Sequence, residues 1–204
     1  MSASLEELVR QLAARDADDA GLALGELVRR GRTAVPALLA ALSAPEARVR
    51  SLAAEGLGII GDPAAADALA AAVEDGDEVV RAKAATALAY LGDPRGVDAV
   101  VRTIDDYHDL AHSELSLSAY TLARLGPPVV PRVADLLGAE QLRTRVKAAW
   151  VLRAIATRRA QRHERWEELR RLVEAYDPAA PASASAAVAA WLARQPDGWE
   201  ADPA

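Results

Sequence analysis

Residues 49–63 read VRSLAAEGLGIIGDP, and residues 80–94 repeat the pattern as VRAKAATALAYLGDP, 31 residues further along the chain. A third copy follows at an offset of 34 residues and ends in Leu125-Gly126-Pro127. A degenerate copy precedes the first of these, and a fifth unit begins at Arg145, 64 residues after Arg81. Self-similarity at a near-constant period of this length is the signature of a repeat architecture.

Each repeat reads as a pair of helices. In the 80–94 copy, Ala84, Leu88 and Leu91 recur at the spacing of one helical face. Gly92 then ends the helix, because a left-handed cap favours glycine. Asp93-Pro94 begins the next helix with an N-cap acceptor and a proline preorganised for the first turn. A single helical pair cannot bury its own apolar face but a stack can, so the sequence predicts stacked helical hairpins.

The composition also favours helix. Of the 204 residues 49 are alanine, none is phenylalanine, and aromatic residues make up 4%. The β-branched and aromatic residues that favour strands are therefore scarce. The lack of cysteine excludes disulfides, thiolate metal sites and a cysteine nucleophile. We predict an all-α fold, a right-handed α-solenoid of about five helical hairpins with terminal capping helices.

The pattern VR-x2-A-x3-L-x2-[IL]GDP at 49–63 and 80–94 resembles that of HEAT-like repeat proteins, a class that includes phycobilin lyase subunits and many bacterial adaptors. The resemblance covers roughly residues 17–157, with decreasing fidelity. It implies an armadillo-type stack of helices but says little about function, because the motif residues are the ones that build the stack. A bilin lyase-like role follows only from the name of the repeat class, and a shared fold is weak evidence for a reaction.

The predicted organisation has three parts. Residues 1–157 form the repeat array, which opens with a cap helix over 4–15 and has its repeats from about residue 17. Residues 158–195 form C-terminal capping helices, and residues 196–204 form a flexible tail.

Two helices are expected in the C-terminal cap. A charged helix spans 158–176, and an Ala-rich helix runs from Pro181 through Arg194. Trp166 and Trp191 are expected to close the end of the core, because tryptophan is highly buried on average. A ligand platform made by the same two side chains is the alternative.

Charge is distributed unevenly along the chain. Residues 1–140 carry a net charge of −9, residues 141–171 one of +7 and residues 172–204 one of −4. The predicted electrostatic field is therefore polarised between an acidic body and a basic end.

Location is inferred from what the sequence lacks. The first ten residues include Glu6 and Glu7 and have no apolar run, which is unlike a signal peptide. The apolar stretches are too short to span a bilayer. Arg outnumbers Lys 22 to 2, which with the alanine content is typical of a GC-rich bacterial genome. We expect a cytoplasmic bacterial protein without membrane contact.

The favoured binding surface is an acidic ridge. The resemblance implies that the second helix of each pair lines a concave face. Asp67 and Asp98 occupy matching positions of two such helices, opposite Leu69 and Val100. We predict a non-enzymatic scaffold or adaptor, without cofactor, that binds a protein or peptide along this ridge. The ridge residues are Asp67, Glu74, Asp98, Arg102, Asp105, Arg132 and Asp135.

A second arginine pattern has a structural interpretation. Arg50, Arg81 and Arg145 recur at the start of the first helices. Such ladders pair with aspartates of adjacent turns, and we predict that role for them.

Nucleic-acid binding through the basic block 141–171 is the alternative function. It is less favoured, because most of the array is acidic and because Glu164, Glu167 and Glu168 partly neutralise the block. The contact residues would be Arg143, Arg145, Lys147, Arg153, Arg158, Arg159 and Arg162.

The least favoured function is a metal-dependent enzyme. Asp105, His108, Asp109 and His112 have the i, i+3, i+4, i+7 spacing of one helical face, and imidazoles with carboxylates can bind a divalent ion. The segment is also an inter-repeat turn, where solvated polar residues are expected. No phosphate-binding glycine loop or nucleophile elbow accompanies it.

Overall fold

The computed structural model describes residues 3–107, 115–160 and 163–199, apart from the side chains of 183 and 184. Over these residues the regular structure consists of α-helices and short 3-10 segments, without strands. The predicted all-α repeat fold is confirmed. The chain divides into two compact units, Met1–Tyr107 and His108–Ala204.

The first unit has seven α-helices among its described residues, in two layers. Helices α2, α4 and α6 pack side by side in one layer, and the odd-numbered helices alternate with them in the other. In chain order they are α1 Leu5–Gln11, α2 Ala17–Arg29, α3 Val35–Ala41, α4 Ala47–Ile60, α5 Ala66–Ala72, α6 Glu78–Tyr90 and α7 Arg95–Arg102.

The helix ends follow the predicted signals. Gly61 and Gly92 have φ of 72° and 74°, the left-handed region that glycine adopts without strain. The carboxylates of Asp62 and Asp93 accept hydrogen bonds from backbone N–H groups two residues on, at 3.0 and 2.9 Å. These contacts satisfy N–H groups that the helix itself leaves unpaired. The glycine and aspartate signals read from the sequence therefore lie at observed helix ends.

Small residues let the helices of the first unit approach closely. A Cβ atom placed on Gly58 of α4 would lie 2.7 Å from the Cβ of Ala87 in α6. A Cβ atom placed on Gly96 of α7 would lie 2.6 Å from the backbone nitrogen of Ala89, also in α6. Both distances are shorter than real contacts allow, so glycine is required at these two crossings.

The predicted arginine ladder is structural. Arg50 donates two hydrogen bonds of 2.8 Å to the carboxylate of Asp75, and two of 2.9 Å to the carbonyls of Ala44 and Pro45. Arg81 repeats the arrangement one unit on, with Asp106 at 2.8 Å and the carbonyls of Asp75 and Gly76 at 2.9 and 3.1 Å. Each guanidinium thus ties successive inter-repeat turns together through charge-assisted bonds.

This ladder makes stability depend on pH. The hydrogen bond from Arg50 holds the pKa of Asp75 below its ordinary value. Because the folded pKa is depressed, the contribution is fully present above the unfolded pKa of about 3.9 and is lost as pH falls through the lower folded value. We expect Asp75→Asn to be less stable than the parent at pH 7. Urea denaturation measures the free energy of unfolding of both proteins, and the difference between them should narrow below about pH 4. A difference that stays constant down to the lowest pH would contradict a stabilising role of the Asp75 carboxylate.

The second unit continues the helical pairs. In chain order its described helices are α8 Leu117–Leu125, α9 Val130–Asp135, α10 Leu142–Arg159, α11 Glu164–Glu174 and α12 Pro181–Ala193. The ladder position Arg145 donates to the carbonyls of Ala139, Glu140 and Pro178 at 2.7 Å each. Its partners are carbonyls and not the predicted aspartate, but its role is the same.

Two predicted helices differ from those observed. The N-terminal cap helix 4–15 ends at Gln11, since Asp16 already caps α2 by accepting a hydrogen bond from the N–H of Asp18. The single charged helix 158–176 is two helices. Helix α10 extends to Arg159, and α11 begins at Glu164, where the Nδ1 atom of His163 accepts a hydrogen bond from the N–H of Arg165.

The end of the second unit is closed by three tryptophans. Trp166 and Trp191 are fully buried, which confirms their prediction as core residues. Trp199 lies with its ring centroid 5.4 Å from each of the other two and is 8% exposed. The predicted flexible tail 196–204 is therefore wrong as far as Trp199, because its indole ring packs in the core. Residues 200–204 lie outside the described part.

Candidate functional site

Helices α2, α4 and α6 present one shared face, which we call the repeat face. Counted from the N-cap residues Asp16, Glu46 and Asp77, the second, sixth, ninth and thirteenth residues of each helix fall on one side. The repeat face consists of Asp18, Leu22, Gly25 and Arg29 on α2, Arg48, Leu52, Glu55 and Ile59 on α4, and Val79, Lys83, Thr86 and Tyr90 on α6.

A groove of about 590 Å³ opens near the N-terminal ends of these three helices. Five of its eleven lining residues are alanine, glycine or serine, whose small side chains leave room between neighbouring helices. Repeat-face residues and the half-buried Tyr107 complete it. The lining consists of Ala17, Ala20, Gly21, Ala47, Arg48, Ser51, Leu52, Asp77, Val79, Lys83 and Tyr107.

Large apolar side chains of the repeat face are exposed. Leu22 is 74% exposed, Ile59 60% and Tyr90 46%. Ile59 and Tyr90 occupy the same position of successive helices, and Leu22 occupies the position of Leu52 in the groove wall. Exposed hydrophobic residues grouped on one face, with polar residues around them, mark an interaction surface.

The charges in the groove are unequally compensated. Lys83 binds Glu55 at 2.6 Å, and the carboxylate of Asp77 caps α6 by accepting from the N–H groups of Val79 and Val80. Arg48 donates to the carbonyls of two residues just before α2, at 3.3 and 3.2 Å. Within the described residues no carboxylate pairs with Arg48, so the groove offers an uncompensated guanidinium.

The predicted acidic ridge does not line this groove. Its first-unit residues lie on or just after α5 and α7, in the other layer. Leu69 and Val100 are buried as predicted, and Asp67 is exposed on the surface. Asp67 accepts a hydrogen bond of 2.9 Å from Arg95, and Glu74 one of 2.7 Å from Arg102. These carboxylates are therefore partly neutralised by arginines of the next repeat.

The remaining ridge residues are distributed between the two units. Asp98 is exposed on α7 and Asp105 is half-buried after it, whereas Arg132 and Asp135 are exposed on α9 of the second unit. Arg95, the partner of Asp67, also forms a hydrogen bond to Asp93 that holds the pKa of that carboxyl at about 2. The ridge is a network of surface charges that lies outside the groove lined by α2, α4 and α6.

The predicted nucleic-acid residues separate into two groups. Lys147 is 2% exposed and Arg145 is held by three carbonyls, so neither presents its charge to a phosphate backbone. Three others are exposed and one is half-buried, while Arg162 lies outside the described residues. The exposed ones are Arg143, Arg153 and Arg158, and the half-buried one is Arg159.

The metal hypothesis falls mostly outside the described structure. His108, Asp109 and His112 belong to the undescribed segment 108–114, and Asp105 is the member that lies before it. In the part of the chain that is described, no group of three or more His, Asp or Glu side chains could hold a metal ion. None of the described helices is long and apolar enough to cross a membrane.

Comparison with known proteins identifies the repeats. Residues 5–89 match the family model of HEAT repeats, and residues 80–106 match the PBS lyase HEAT-like repeat. The complex of CpcE and CpcF of phycocyanin lyase from Nostoc sp. PCC7120 is similar in fold, with 21% sequence identity and a TM-score of 0.51 over 83% of this chain and 69% of that chain.

An engineered protein also matches, with 18% identity and a TM-score of 0.43 over 93% of this chain and 95% of that chain. No curated protein matches this chain by sequence. The likeness to the lyase complex, at its low identity, concerns the fold alone.

Proposed function

This chain is a HEAT-like repeat protein, and from that premise we propose that it is a protein-interaction module that binds a partner segment along the repeat face of its first unit. The observation that carries the proposal is the exposed apolar surface of Leu22, Ile59 and Tyr90 on the face that holds the groove. Burying one large side chain of this kind contributes roughly 1.5–3 kcal/mol, so two or three of them support a specific complex.

The spacing of the helices favours an elongated partner segment. Adjacent packed helices lie roughly 8–10 Å apart, so the axes of α2, α4 and α6 span about 18 Å. That distance is the length of about three turns of a helix, which can place apolar side chains on successive repeats. In this arrangement the small-residue groove receives a side chain of the partner, and Arg48 donates to an acceptor beside it.

The acidic ridge is the less suitable surface for the same partner. The carboxylates of Asp67 and Glu74 already have arginine partners, and a ligand would have to displace them. An exposed ion pair of this kind contributes about 0–1 kcal/mol. Exchanging an arginine of this chain for a cation of the ligand would therefore change the binding free energy little. The exposed hydrophobic residues of the repeat face supply the larger driving force.

The proposal is tested by comparing two double variants of the full chain. Leu22→Asp with Ile59→Asp places charges on the repeat face, and Asp67→Lys with Asp98→Lys reverses the ridge. We expect the first pair to reduce a partner's recovery in affinity capture by at least about tenfold, since two apolar contacts are lost. The ridge pair should leave recovery unchanged.

Captured proteins are quantified by mass spectrometry with and without nuclease, and far-UV circular dichroism checks that both variants keep their helices. Loss of the partner with the ridge variant alone would assign binding to α5 and α7 and refute the repeat face. Loss of all captured material on nuclease treatment would instead indicate nucleic-acid binding through the basic block.

A further inference from the structure

Helix α10 of the second unit carries a separate exposed apolar stripe. Leu142, Val146, Trp150 and Arg153 follow one another at spacings of four, four and three residues, which places them on one side of the helix. Leu142 is 53% exposed and Val146 37%, and Trp150 is half-buried beside them. We call these four residues the α10 stripe.

The aromatic member of the stripe is held in place from a neighbouring helix. The rings of Trp150 and Tyr120 of α8 meet edge to face, with centroids 5.1 Å apart and an interplanar angle of 70°. Edge-to-face contact is a favourable arrangement of two aromatic rings and fixes their orientation. The indole is therefore a rigid, partly exposed platform that loses little side-chain entropy when a partner covers it.

Part of the positive charge near the stripe is carried by an arginine without a carboxylate partner. Residues 141–171 carry a net charge of +7. On α11, Arg170 binds Glu167 and Glu174 at 2.6 Å each, and Arg171 lies 3.4 Å from Glu167. Arg153 is exposed on α10, and no carboxylate of the described residues pairs with it. Arg153 therefore presents a positive charge without a described carboxylate partner on the side of α10 that carries the stripe.

We propose that the α10 stripe is a second docking surface, and that its partner is an amphipathic protein helix with an apolar stripe and acidic flanks. The aliphatic side chains of Leu142 and Val146 are covered by the partner's apolar residues, and Arg153 pairs with one of its carboxylates. Nucleic acid is the poorer fit, because phosphates and sugars gain nothing from two exposed aliphatic side chains. The proposal does not depend on the function assigned to the first unit.

The test uses a fluorescein-labelled model helix of Leu, Ala and Glu, with leucines at i, i+4, i+7 and i+11 and glutamates on both flanks. Fluorescence anisotropy measures its binding to the full chain. We expect Arg153→Glu, and separately Leu142→Ser with Val146→Ser, to weaken binding by at least about tenfold. Arg171→Glu is the matched control: it makes the same charge change at an exposed arginine of α11 and should have little effect.

Two further probes decide between partner classes. The same helix with lysine in place of glutamate should not bind, because the charge around the stripe is positive. Failure of the acidic helix to bind, or equal weakening by Arg153→Glu and Arg171→Glu, would overturn the proposal. Oligothymidylate that displaces the helix, and whose own binding is weakened by the same substitutions, would overturn the proposal in favour of nucleic acid.

Discussion

Gly96→Ala is expected to lower the free energy of unfolding of the first unit by about 3 kcal/mol, although alanine is the better helix former. The new Cβ atom would lie 2.6 Å from the backbone nitrogen of Ala89 and 2.9 Å from the carbonyl carbon of Leu88. Both atoms belong to the backbone of α6, so no side-chain rotation can relieve the overlap. Helix α7 must move away from α6 as a whole, which loosens the buried contacts of Ala99 and Val100.

The matched control is Gly25→Ala in α2. A Cβ atom there meets no other atom within 4 Å, and Gly25 is not in the left-handed region. The same substitution should therefore stabilise the chain by about 0.5–1 kcal/mol, through helix propensity alone. Urea denaturation followed by far-UV circular dichroism measures both effects. Tryptophan fluorescence would not report on the first unit, since all four tryptophans lie in the second unit. Equal effects of the two substitutions would show that the crossing at Gly96 is not tight.

The repeat fold could be predicted because its signals are local. Gly61 with Asp62, and Gly92 with Asp93, end one helix and begin the next through bonds that span only two or three residues. A regular period then makes each such boundary support the others. The role of Gly96 could not be predicted in this way. In the sequence it is a glycine that weakens a helix, and its necessity arises from α6, which packs against it.

The candidate groove was harder to predict, because side chains from three separate helices build it. The resemblance implies a concave face on the second helices, so the ridge with Asp67 and Asp98 stays a prediction. The groove of about 590 Å³ lies on the layer of α2, α4 and α6. One signal was present in the sequence: Ile59 and Tyr90 are apolar at a repeat position where Arg29 is charged. Apolar residues that recur at an exposed repeat position indicate an interaction surface.

The basic block shows the same limit of sequence-based reasoning. A count of charges cannot tell which cations are used inside the fold, and Lys147 and Arg145 are both used in this way. The exposed Arg153 differs from them only through its place on the helix. The α10 stripe was similarly hidden, since Leu142 and Val146 follow the spacing of a buried helical face.

The end of the chain gives the strongest contrast between sequence and structure. Pro196-Asp197-Gly198 reads as the end of a helix, which predicts a flexible tail at this end of the chain. The structure turns the chain at Gly198, with φ of 74°, and returns Trp199 to the two buried indoles. Whether a terminal aromatic residue folds back depends on a cavity built by α11 and α12, which local sequence does not describe.

Trp199→Ala therefore distinguishes a packed end from a flexible one. We expect it to lower the free energy of unfolding of the second unit by about 3–5 kcal/mol, as for other buried tryptophans. The loss arises because the rings of Trp166 and Trp191 each lose a neighbour at a centroid distance of 5.4 Å. Urea denaturation followed by tryptophan fluorescence measures it, because the other three tryptophans report on the same unit.

Two comparisons separate loss of packing from loss of an indole. Trp199→Phe retains a ring in the cluster and should restore more than half of the lost stability, whereas a tail that is not packed would make alanine and phenylalanine equivalent. Trp150→Ala removes the same side chain from the half-buried α10 stripe and should cost less than Trp199→Ala, because less of its surface is buried. If Trp199→Ala costs no more than Trp150→Ala, the three-tryptophan cluster does not hold the end of the second unit.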